Sequence, residues 1–283
     1  MEQIYNRDLN LLLKLSENKI LDVAQINNLP LIIIDDEEHI HLKALRTKVN
    51  NKVLITDGLG MTVECLILSF DKKSHTLKVL KIYYFLNEIN KEIILFLGIL
   101  DNKDRLEFAI EKSIELGVKK IYLMKTDYSA NYSAKIKLNI NRLNSKVIAT
   151  VKQCKRSILP EINLIEFDGI NEVLNFENQL IENQLIENQL TENYHNNNKI
   201  DKSLILLADI NGEYIKKNII DFQQNLNNSK KIFIFVGPEG GFSDKEVIHL
   251  QKYENTLLLK LSENRLRAET ACISMVNNVV NFI

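Results

Sequence analysis

The stretch from Lys231 to Glu246, KIFIFVGPEGGFSDKE, restricts the fold more than any other part of the sequence. Ile232 to Val236 is a short apolar run of β-branched and aromatic residues, which predicts a strand buried on both faces. A loop must follow at Gly237 to Gly241, because proline has no amide proton and glycine tolerates positive φ. Ser243 and Glu246 have the S-x-x-E spacing of a capping box, which predicts the start of a helix. A glycine-rich loop is therefore predicted at the carboxyl end of a strand, where open α/β sheets bind ligands.

The loop GPEGG differs from the common phosphate-binding loops. Its spacing fits neither G-x-G-x-x-G nor a P-loop, and no Lys-Ser/Thr pair follows its last glycine. An ordinary strand-to-helix connection is the simpler alternative. However, three glycines, a proline and a glutamate in five positions exceed the needs of a turn. Main chain that lacks Cβ atoms can approach a flat ligand closely, so we interpret the loop as a ligand-binding segment.

The composition is that of an ordinary globular protein. With 283 residues, 45% hydrophobic and 26% charged, the chain is predicted to form one large domain or two smaller ones. The formal net charge of -1 hides an uneven distribution, because Asn171 to Glu192 holds five Glu and no Lys or Arg. The remainder is mildly basic, which permits contact with RNA but does not argue for it.

Several features favour a cytoplasmic protein without a metal. The three cysteines, Cys65, Cys154 and Cys272, fit neither a zinc site nor a disulfide framework, so a reducing compartment is the simplest expectation. The histidines form no ligand-spaced cluster, and we expect no metal. The first residues lack the features of a signal peptide. The longest apolar run, Ile93 to Leu100, is too short to cross a bilayer, and no membrane partner is expected.

Residues 1–85 are predicted to be rich in β-strands. A short helix is predicted from His39 to Arg46, and Asp57 to Gly60 has the composition of a hairpin turn. Short strands that close on each other indicate a barrel. The predicted strands are Pro30 to Ile34, Val53 to Thr56, Thr62 to Phe70 and Thr76 to Tyr84.

From residue 91 onward, strands and helices alternate, which predicts a parallel sheet in an α/β domain. The predicted strands are Glu92 to Leu100, Lys120 to Met124, Leu204 to Ala208, Ile232 to Val236 and Asn255 to Leu261. The predicted helices are Asp104 to Leu116, Asn141 to Ser157, Glu213 to Gln224 and Arg265 to Asn281.

A low-complexity insertion interrupts this alternation at 171–200. Glu-Asn-Gln-Leu-Ile recurs from Glu177 and Glu182, and again from Glu187 with Thr191 in place of Ile, before an Asn-rich tail. The period is far below that of any solenoid. We interpret the segment as a surface insertion, partly helical at its start, that carries no chemistry.

Two motifs near the end of the chain carry a family resemblance. GPEGGFS, followed by Leu266-Arg267-Ala268-Glu269-Thr270-Ala271, resembles the C-terminal signature of the RsmE family, small-subunit rRNA uridine methyltransferases of the SPOUT class. Ser262, Asn264 and Arg265 depart from the family pattern just before the second motif. The resemblance implies a SPOUT domain with a trefoil-knotted parallel sheet at 91–283 and a PUA-like RNA-binding β-barrel at 1–85. It also implies a homodimer.

The resemblance also implies S-adenosylmethionine as the cofactor. In such proteins three loops hold it, which here correspond to Leu206 to Ile210, Gly237 to Gly241 and Leu261 to Thr270. The implied cofactor-binding residues are Leu207, Gly237, Pro238, Glu239, Gly240, Gly241, Leu261, Leu266 and Thr270.

The implied reaction is methyl transfer to N3 of a uridine in 16S rRNA of the small ribosomal subunit. Loss of the N3 proton builds negative charge on the uracil, which a nearby cation stabilises. Arg267 is the first candidate, followed by Arg142 and Lys103. Arg46, Lys112 and Arg156 are the expected RNA-binding residues, although basic residues on a solvated helix face or at a helix end have an ordinary structural explanation.

Two other functions stay open at this point. The departures between Leu261 and Arg265 favour an RNA-binding protein that keeps the SPOUT fold with weakened catalysis. A nucleotide-dependent α/β enzyme is weakly supported, because neither a phosphate loop nor a ribose-binding acid at the right spacing is present.

Overall fold

The computed structural model describes residues 1–13, 23–35, 37–129, 139–178 and 202–283. The chain divides into two compact units. The first combines Met1–Glu88 with Ser145–Leu159, and the second combines Ile89–Asn144 with Pro160–Ile283. The domain limits that the sequence suggests, 1–85 and 91–283, stay a prediction.

The first unit is built on a five-stranded sheet with the order β1-β3-β4-β5-β2. Neighbouring strands are antiparallel, except that β1 and β3 are parallel. Its strands are β1 (Glu2–Tyr5), β2 (Ile32–Ile34), β3 (Lys52–Thr56), β4 (Met61–Phe70) and β5 (His75–Tyr84). Its helices are α1 (Leu9–Leu13), α2 (Val23–Asn27) and α3 (Glu37–Ala44). The predicted strands, including their hairpin, are present; β1, only four residues long, was not predicted.

The turn between β3 and β4 is held by a single carboxylate. Asp57 Oδ1 accepts hydrogen bonds from the amides of Leu59 at 2.8 Å and Met61 at 3.0 Å. The predicted hairpin is therefore confirmed. A core of aliphatic residues, including Ile4, Ile55 and Ile67, lies beneath the sheet and is shielded from solvent, so the unit has a hydrophobic core of its own.

The second unit is built on a six-stranded sheet in which all pairs are parallel, with the order β11-β9-β10-β6-β7-β8. The predicted α/β architecture with a parallel sheet is confirmed. Its strands are β6 (Glu92–Gly98), β7 (Lys120–Lys125), β8 (Glu161–Glu166), β9 (Lys202–Tyr214), β10 (Ser229–Val236) and β11 (Thr256–Lys260). Its helices are α4 (Lys103–Glu115), α6 (170–178), α7 (Ile219–Asn227), α8 (Asp244–Leu250) and α9 (Ala268–Phe282), and α5 (Ile140–Cys154) begins in this unit.

One secondary-structure prediction in this unit is wrong, and one strand was not predicted. The helix predicted from Glu213 begins only at Ile219, because Glu213 and Tyr214 continue β9 and pair with Leu259 and Lys260 of β11. Pairing with a distant strand has overridden the local helical pattern. The edge strand β8 was not predicted, since its residues are mostly exposed or half-buried and lack a strong apolar run.

An aromatic stack crosses the middle of this sheet. The ring of Phe96 lies parallel to Phe235 on β10, with centroids 4.4 Å apart, and to Tyr122 on β7, with centroids 4.9 Å apart. Phe96 and Phe235 are fully buried. Because Phe235 lies two residues before Gly237, the stack fixes the strand end from which the glycine loop starts.

The start of the predicted surface insertion is instead part of the core. Glu177, the first residue of the repeats, lies on α6 and is fully buried. Its carboxylate accepts hydrogen bonds from Lys120 Nζ at 2.8 Å, Tyr122 Oη at 2.6 Å and Lys231 Nζ at 3.0 Å. Two ammonium groups offset the desolvation of this carboxylate. The predicted helical start is therefore confirmed at 170–178, whereas the predicted surface position is wrong for Glu177. Residues 179–200 lie outside the described residues.

In the described part of the chain, none of the helices has the length and apolar character needed to span a bilayer.

Candidate functional site

A cavity of about 930 Å³ opens at the carboxyl ends of β9, β10 and β11. Small-molecule sites occupy roughly 300–1,000 Å³, so its size fits a ligand larger than a single nucleobase. Three segments supply most of the lining: 208–211, 236–242 and 258–268. The first segment lies at an irregularity within β9, and the other two end or follow β10 and β11, which is the location that the sequence predicts for a ligand site.

A bulge in β9 supplies the first wall. Leu207 pairs with Leu258 of β11, but the next paired residue is Glu213, opposite Leu259. The intervening residues, Ala208 to Gly212, are therefore excluded from the ladder, and Ala208 to Asn211 face the cavity. A strand that leaves and rejoins a sheet in this way brings main chain to a site next to it.

The glycine loop forms the second wall and needs two of its glycines for different reasons. A Cβ at Gly237 would lie 2.6 Å from the carbonyl carbon of Gly241, so a side chain is sterically excluded. Gly241 has φ of +78°, which L-residues rarely adopt, and a Cβ built on it would have no atom within 4 Å. The loop is closed by the Gly241 amide, which donates to the Pro238 carbonyl at 2.9 Å.

Asp127, which follows β7, binds the start of the helix that comes directly after this loop. The predicted capping box is confirmed at the start of α8, where Ser243 Oγ and the Glu246 carboxylate each accept a main-chain hydrogen bond. Ser243 Oγ also donates to Asp127 Oδ2 at 2.6 Å, and the Asp127 amide donates to Glu246 Oε1 at 2.9 Å. The segment after β7 is thereby joined to the start of α8, directly after the glycine loop, a role for Asp127 that the sequence did not reveal.

The segment after β11 forms the third wall. Arg265 Nη2 donates to the carbonyl oxygen of Glu239 at 3.0 Å, so a residue that departs from the family pattern joins the second and third walls. The Glu239 carboxylate is itself held on one side, where Oε2 accepts from the Asp101 amide at 3.3 Å. Its Oε1 is buried and, among the described residues, has no hydrogen-bond partner. A buried acceptor without a donor marks a place where a ligand donor fits.

Most of the predicted cofactor residues face the cavity. Those that line it are Gly237, Pro238, Glu239, Gly240, Gly241, Leu261 and Leu266, together with Arg267 from the catalytic set. Leu207 does not line it, because its side chain is fully buried within β9. Thr270 is exposed on α9 and also lies outside the lining, where Ala271 contributes instead. The predicted loop from Leu206 to Ile210 does reach the lining through Ala208, Asp209 and Ile210. The sequence missed Asn211 and Tyr128, which also line the cavity.

The other two predicted catalytic residues converge on a different carboxylate. Arg142 Nε and Nη2 donate to the two carboxylate oxygens of Glu107 at 2.6 and 2.9 Å. Lys103 Nζ lies 4.0 Å from the same carboxylate. The hydrogen bonds to Glu107 and its charge raise the pKa of Arg142. Neither residue lines the cavity with Arg267, so the structure does not bring the three predicted catalytic residues together.

The three predicted RNA-binding residues have different surroundings. Arg46 is exposed just after α3, with φ of 54°. Lys112 is half-buried between Glu111 and Glu115, at 2.9 and 2.7 Å, so its charge is already balanced within α4.

The prediction for Arg156 needs a correction. Its side chain is 2% exposed, and Nη2 lies 2.7 Å from the equally buried Glu88 carboxylate. The Glu88 carboxylate also holds the chain that follows Arg156, since its Oε1 accepts hydrogen bonds from the amides of Ser157 and Ile158. A buried, fully paired guanidinium cannot reach a phosphate without leaving its partner uncompensated. We therefore withdraw Arg156 as an RNA ligand.

The cysteines have the surroundings of core residues. Burial raises the pKa of the Cys272 thiol to about 12, and its Sγ lies 3.2 Å from Ser113 Oγ. A protonated thiol is a poor nucleophile. In the ranges that the structure describes, no three His, Cys, Asp or Glu side chains are grouped closely enough to hold a metal ion.

Comparison with known proteins agrees with this geometry. A family profile described as "RNA methyltransferase domain" matches residues 87–280. The chain is 27% identical to the ribosomal RNA small subunit methyltransferase E of Rickettsia conorii, over 94% of this chain and 91% of that protein. It is 26% identical to the protein of the same name from Mesomycoplasma hyopneumoniae, over 85% of this chain and 89% of that protein.

Solved structures show the same fold. The ribosomal RNA small subunit methyltransferase E from Neisseria gonorrhoeae, bound to S-adenosyl methionine, superimposes with a TM-score of 0.67 at 21% identity. That match covers 98% of this chain and 96% of the other. The sequence resemblance to RsmE proteins is thereby confirmed, and the chain belongs to the RNA methyltransferase domain family.

Proposed function

We propose that this protein uses S-adenosylmethionine to methylate N3 of a uridine in the 16S rRNA of the small ribosomal subunit. The observation that carries the proposal is the cavity built from the glycine loop and the segment after β11, which lies inside the region that matches the RNA methyltransferase domain. Relatives that share most of their length with this chain are named as small-subunit rRNA methyltransferases.

The residues of the cavity fit S-adenosylmethionine. Main chain without a Cβ atom at Gly241, where no atom lies within 4 Å of the Cβ position, accepts a flat adenine, and apolar side chains such as Leu258 and Leu266 line the same cavity. The buried, unpartnered Oε1 of Glu239 offers an acceptor to an amino group of the cofactor. The guanidinium of Arg267 offers a partner for a carboxylate or for developing negative charge. When bound, the cofactor supplies an electrophilic methyl group.

Arg267 is our candidate for stabilising the reacting uracil. It is the one predicted catalytic residue that lines the cavity, and its side chain is exposed. As uracil N3 loses its proton, negative charge spreads to the neighbouring carbonyl oxygens, and a fixed guanidinium lowers the energy of that charge. The remaining contribution of the protein is to position the two reactants, which the interlinked walls of the cavity favour.

The resemblance to RsmE proteins extends the proposal to the topology, the RNA-binding unit and the assembly. We infer a SPOUT-type trefoil knot in which the segment after β11 is threaded, a PUA-like RNA-binding unit at 1–85, a homodimer and a cytoplasmic location. The return of β9 to the sheet after its bulge supports the knot, because Ala208 to Asn211 and the segment after β11 line one cavity. Exposed Arg46 supports an RNA-binding role for the N-terminal unit through phosphate contact.

Isothermal titration of the purified protein with S-adenosylmethionine tests the cofactor assignment. We expect saturable binding at one site per chain, abolished by substitutions in the glycine loop. Absence of binding heat at several temperatures, with the protein folded by circular dichroism, would remove the cofactor and the proposed reaction with it.

The alternative, an RNA-binding protein with weakened catalysis, is not favoured. Its support was the altered segment from Leu261 to Arg265, yet Leu261 lines the cavity and Arg265 binds the glycine loop. The altered segment thus retains a role in building the site.

A further inference from the structure

Tyr128 is an aromatic residue that lines the cavity and has no role in the reaction proposed above. It lines the cavity, but 55% of the residue is exposed, unlike the aromatic residues of the sheet core. It lies against the glycine loop: a Cβ built on Gly240 would be 2.8 Å from the Cβ of Tyr128. An aromatic residue that lines the cavity and is more than half exposed offers contact surface to a ligand there.

The backbone that carries Tyr128 is held on both sides. The Ser129 amide donates to the Thr126 carbonyl at 3.0 Å, and Ser129 Oγ accepts from the Thr126 amide at 3.0 Å, which closes a tight turn. The preceding residue, Asp127, is joined to the start of α8 through Ser243 and Glu246. A side chain on a fixed turn loses little conformational entropy when it contacts a ligand. Less of the favourable free energy of the contact is therefore offset by that loss.

The chemistry of such a ring selects a nucleobase. Proteins that recognise unpaired bases in RNA stack them on aromatic side chains, because every base offers a flat π-face. N3 of uracil lies on its Watson–Crick edge, so a uridine that is methylated there has to be unpaired when it enters the site. Adenine of the cofactor is the other flat group, but the glycine loop and apolar lining residues such as Leu258 and Leu266 already provide for it.

We propose that Tyr128 is a binding residue that stacks on the unpaired uracil of the RNA substrate at the mouth of the cavity. This inference rests on the proposed function and extends it, because it names the residue that holds the base beside the methyl donor. Tyr128 positions the base and takes no part in proton transfer.

The test compares Tyr128→Ala with Tyr128→Phe. Alanine keeps the Cβ beside Gly240 and removes only the ring, whereas phenylalanine keeps the ring and removes the hydroxyl. Phe176→Ala is the matched control, because Phe176 is equally exposed at 55% but does not line the cavity. For each protein, filter binding gives the dissociation constant for small subunits that lack the methylation, and calorimetry gives that for S-adenosylmethionine.

Loss of one stacked base is expected to weaken small-subunit binding by Tyr128→Ala between about fivefold and a hundredfold. The affinity of Tyr128→Ala for S-adenosylmethionine should stay within about twofold of the wild-type value. Tyr128→Phe and Phe176→Ala should bind both small subunits and S-adenosylmethionine within about twofold of wild type, because neither loses the stacked ring. Unchanged small-subunit binding by Tyr128→Ala, or a loss confined to S-adenosylmethionine, would overturn the proposal. Because filter binding requires no turnover, a wild-type protein that transfers no methyl group would contradict the proposed function while the stacking is still measured.

Discussion

The guanidinium of Arg265 donates from Nη2 to the main-chain carbonyl of Glu239 at 3.0 Å, which joins the segment after β11 to the glycine loop. Arg265 is one of the residues at which the chain departs from the family pattern. The contact shows that a substituted residue holds two walls of one cavity together, and it fixes the loop whose Glu239 carboxylate lies in that cavity.

Arg265→Ala is predicted to weaken binding of S-adenosylmethionine. Loss of a hydrogen bond from a charged donor costs about 1–2 kcal/mol, reduced here because Arg265 is exposed, so we expect a threefold to tenfold rise in the dissociation constant, roughly 1 kcal/mol. Calorimetry measures the dissociation constant, and Lys217→Ala is the control because Lys217 is exposed. Equal affinities for both variants would show that the contact does not support the site.

Gly237→Ala is predicted to weaken cofactor binding roughly tenfold or more without unfolding the protein. The new Cβ would lie 2.6 Å from the carbonyl carbon of Gly241, so the loop has to move. Overpacking of this kind costs about 1–3 kcal/mol, which corresponds to a loss of affinity of roughly tenfold or more. In the control Gly169→Ala, the nearest atom to the new Cβ is 3.9 Å away. A Gly237→Ala protein with normal affinity would contradict the close packing of the loop.

Arg267→Ala is predicted to lower kcat far more than cofactor affinity. Removal of one group that stabilises developing negative charge reduces kcat by about 100- to 1,000-fold, and Arg267→Lys should recover part of that loss. Arg142→Ala is the informative comparison, because Arg142 is paired with Glu107 outside the cavity lining. The rate of methyl transfer in a single turnover is measured for Arg267→Ala and for Arg142→Ala. A larger loss of rate in Arg142→Ala than in Arg267→Ala would refute the assignment.

Glu177→Gln is predicted to destabilise the second unit. The substitution removes the charge that balances Lys120 and Lys231 in a buried site, and breaking such a cluster costs about 3–5 kcal/mol. Urea denaturation measures the free energy of unfolding. Glu172→Gln is the control, since Glu172 is exposed on the same helix. Equal stability of the two variants would mean that the buried cluster contributes nothing.

The same cluster predicts a pH dependence. Burial acts to raise the pKa of Glu177, but hydrogen bonds from Lys120, Tyr122 and Lys231 hold it below its ordinary value of 4.5. The stabilising contribution is therefore complete above about pH 4.5 and is lost as the pH falls from there through the pKa of the folded state. The difference in unfolding free energy between wild type and Glu177→Gln should narrow below about pH 4.5. A constant difference from neutral to acidic pH would contradict this.

The sequence predicted the parts of the fold that depend on local patterns. The strand, the glycine loop and the capping box at Ser243 need only neighbouring residues, and the structure contains all three. The bulge of β9 depends on pairing with β11, so a helix was predicted from Glu213 where the strand continues. Glu177 was assigned to a surface repeat because its two lysine partners are distant in sequence.

In the candidate site, too, the sequence predicted what depends on neighbouring residues and missed what depends on distant ones. The three loops that the resemblance implied contain most of the residues that line the cavity, because two of these loops include the motifs and the residues of each loop are contiguous in the chain. Tyr128 and Asp127 lie far from either motif in sequence and reach the site only through the order of β7 in the sheet. The burial of Arg156 against Glu88 was equally hidden, since a basic residue near a helix end has the same local pattern whether it is exposed or buried.

The most direct test of the central claim is nucleoside analysis of rRNA by mass spectrometry after methyl transfer. Small subunits from a strain that lacks this methylation are incubated with the purified protein and S-adenosylmethionine. We predict that 3-methyluridine appears in the 16S rRNA with the wild-type protein, and does so far more slowly with Arg267→Ala. A protein that binds the cofactor but produces no 3-methyluridine on these subunits would contradict the account.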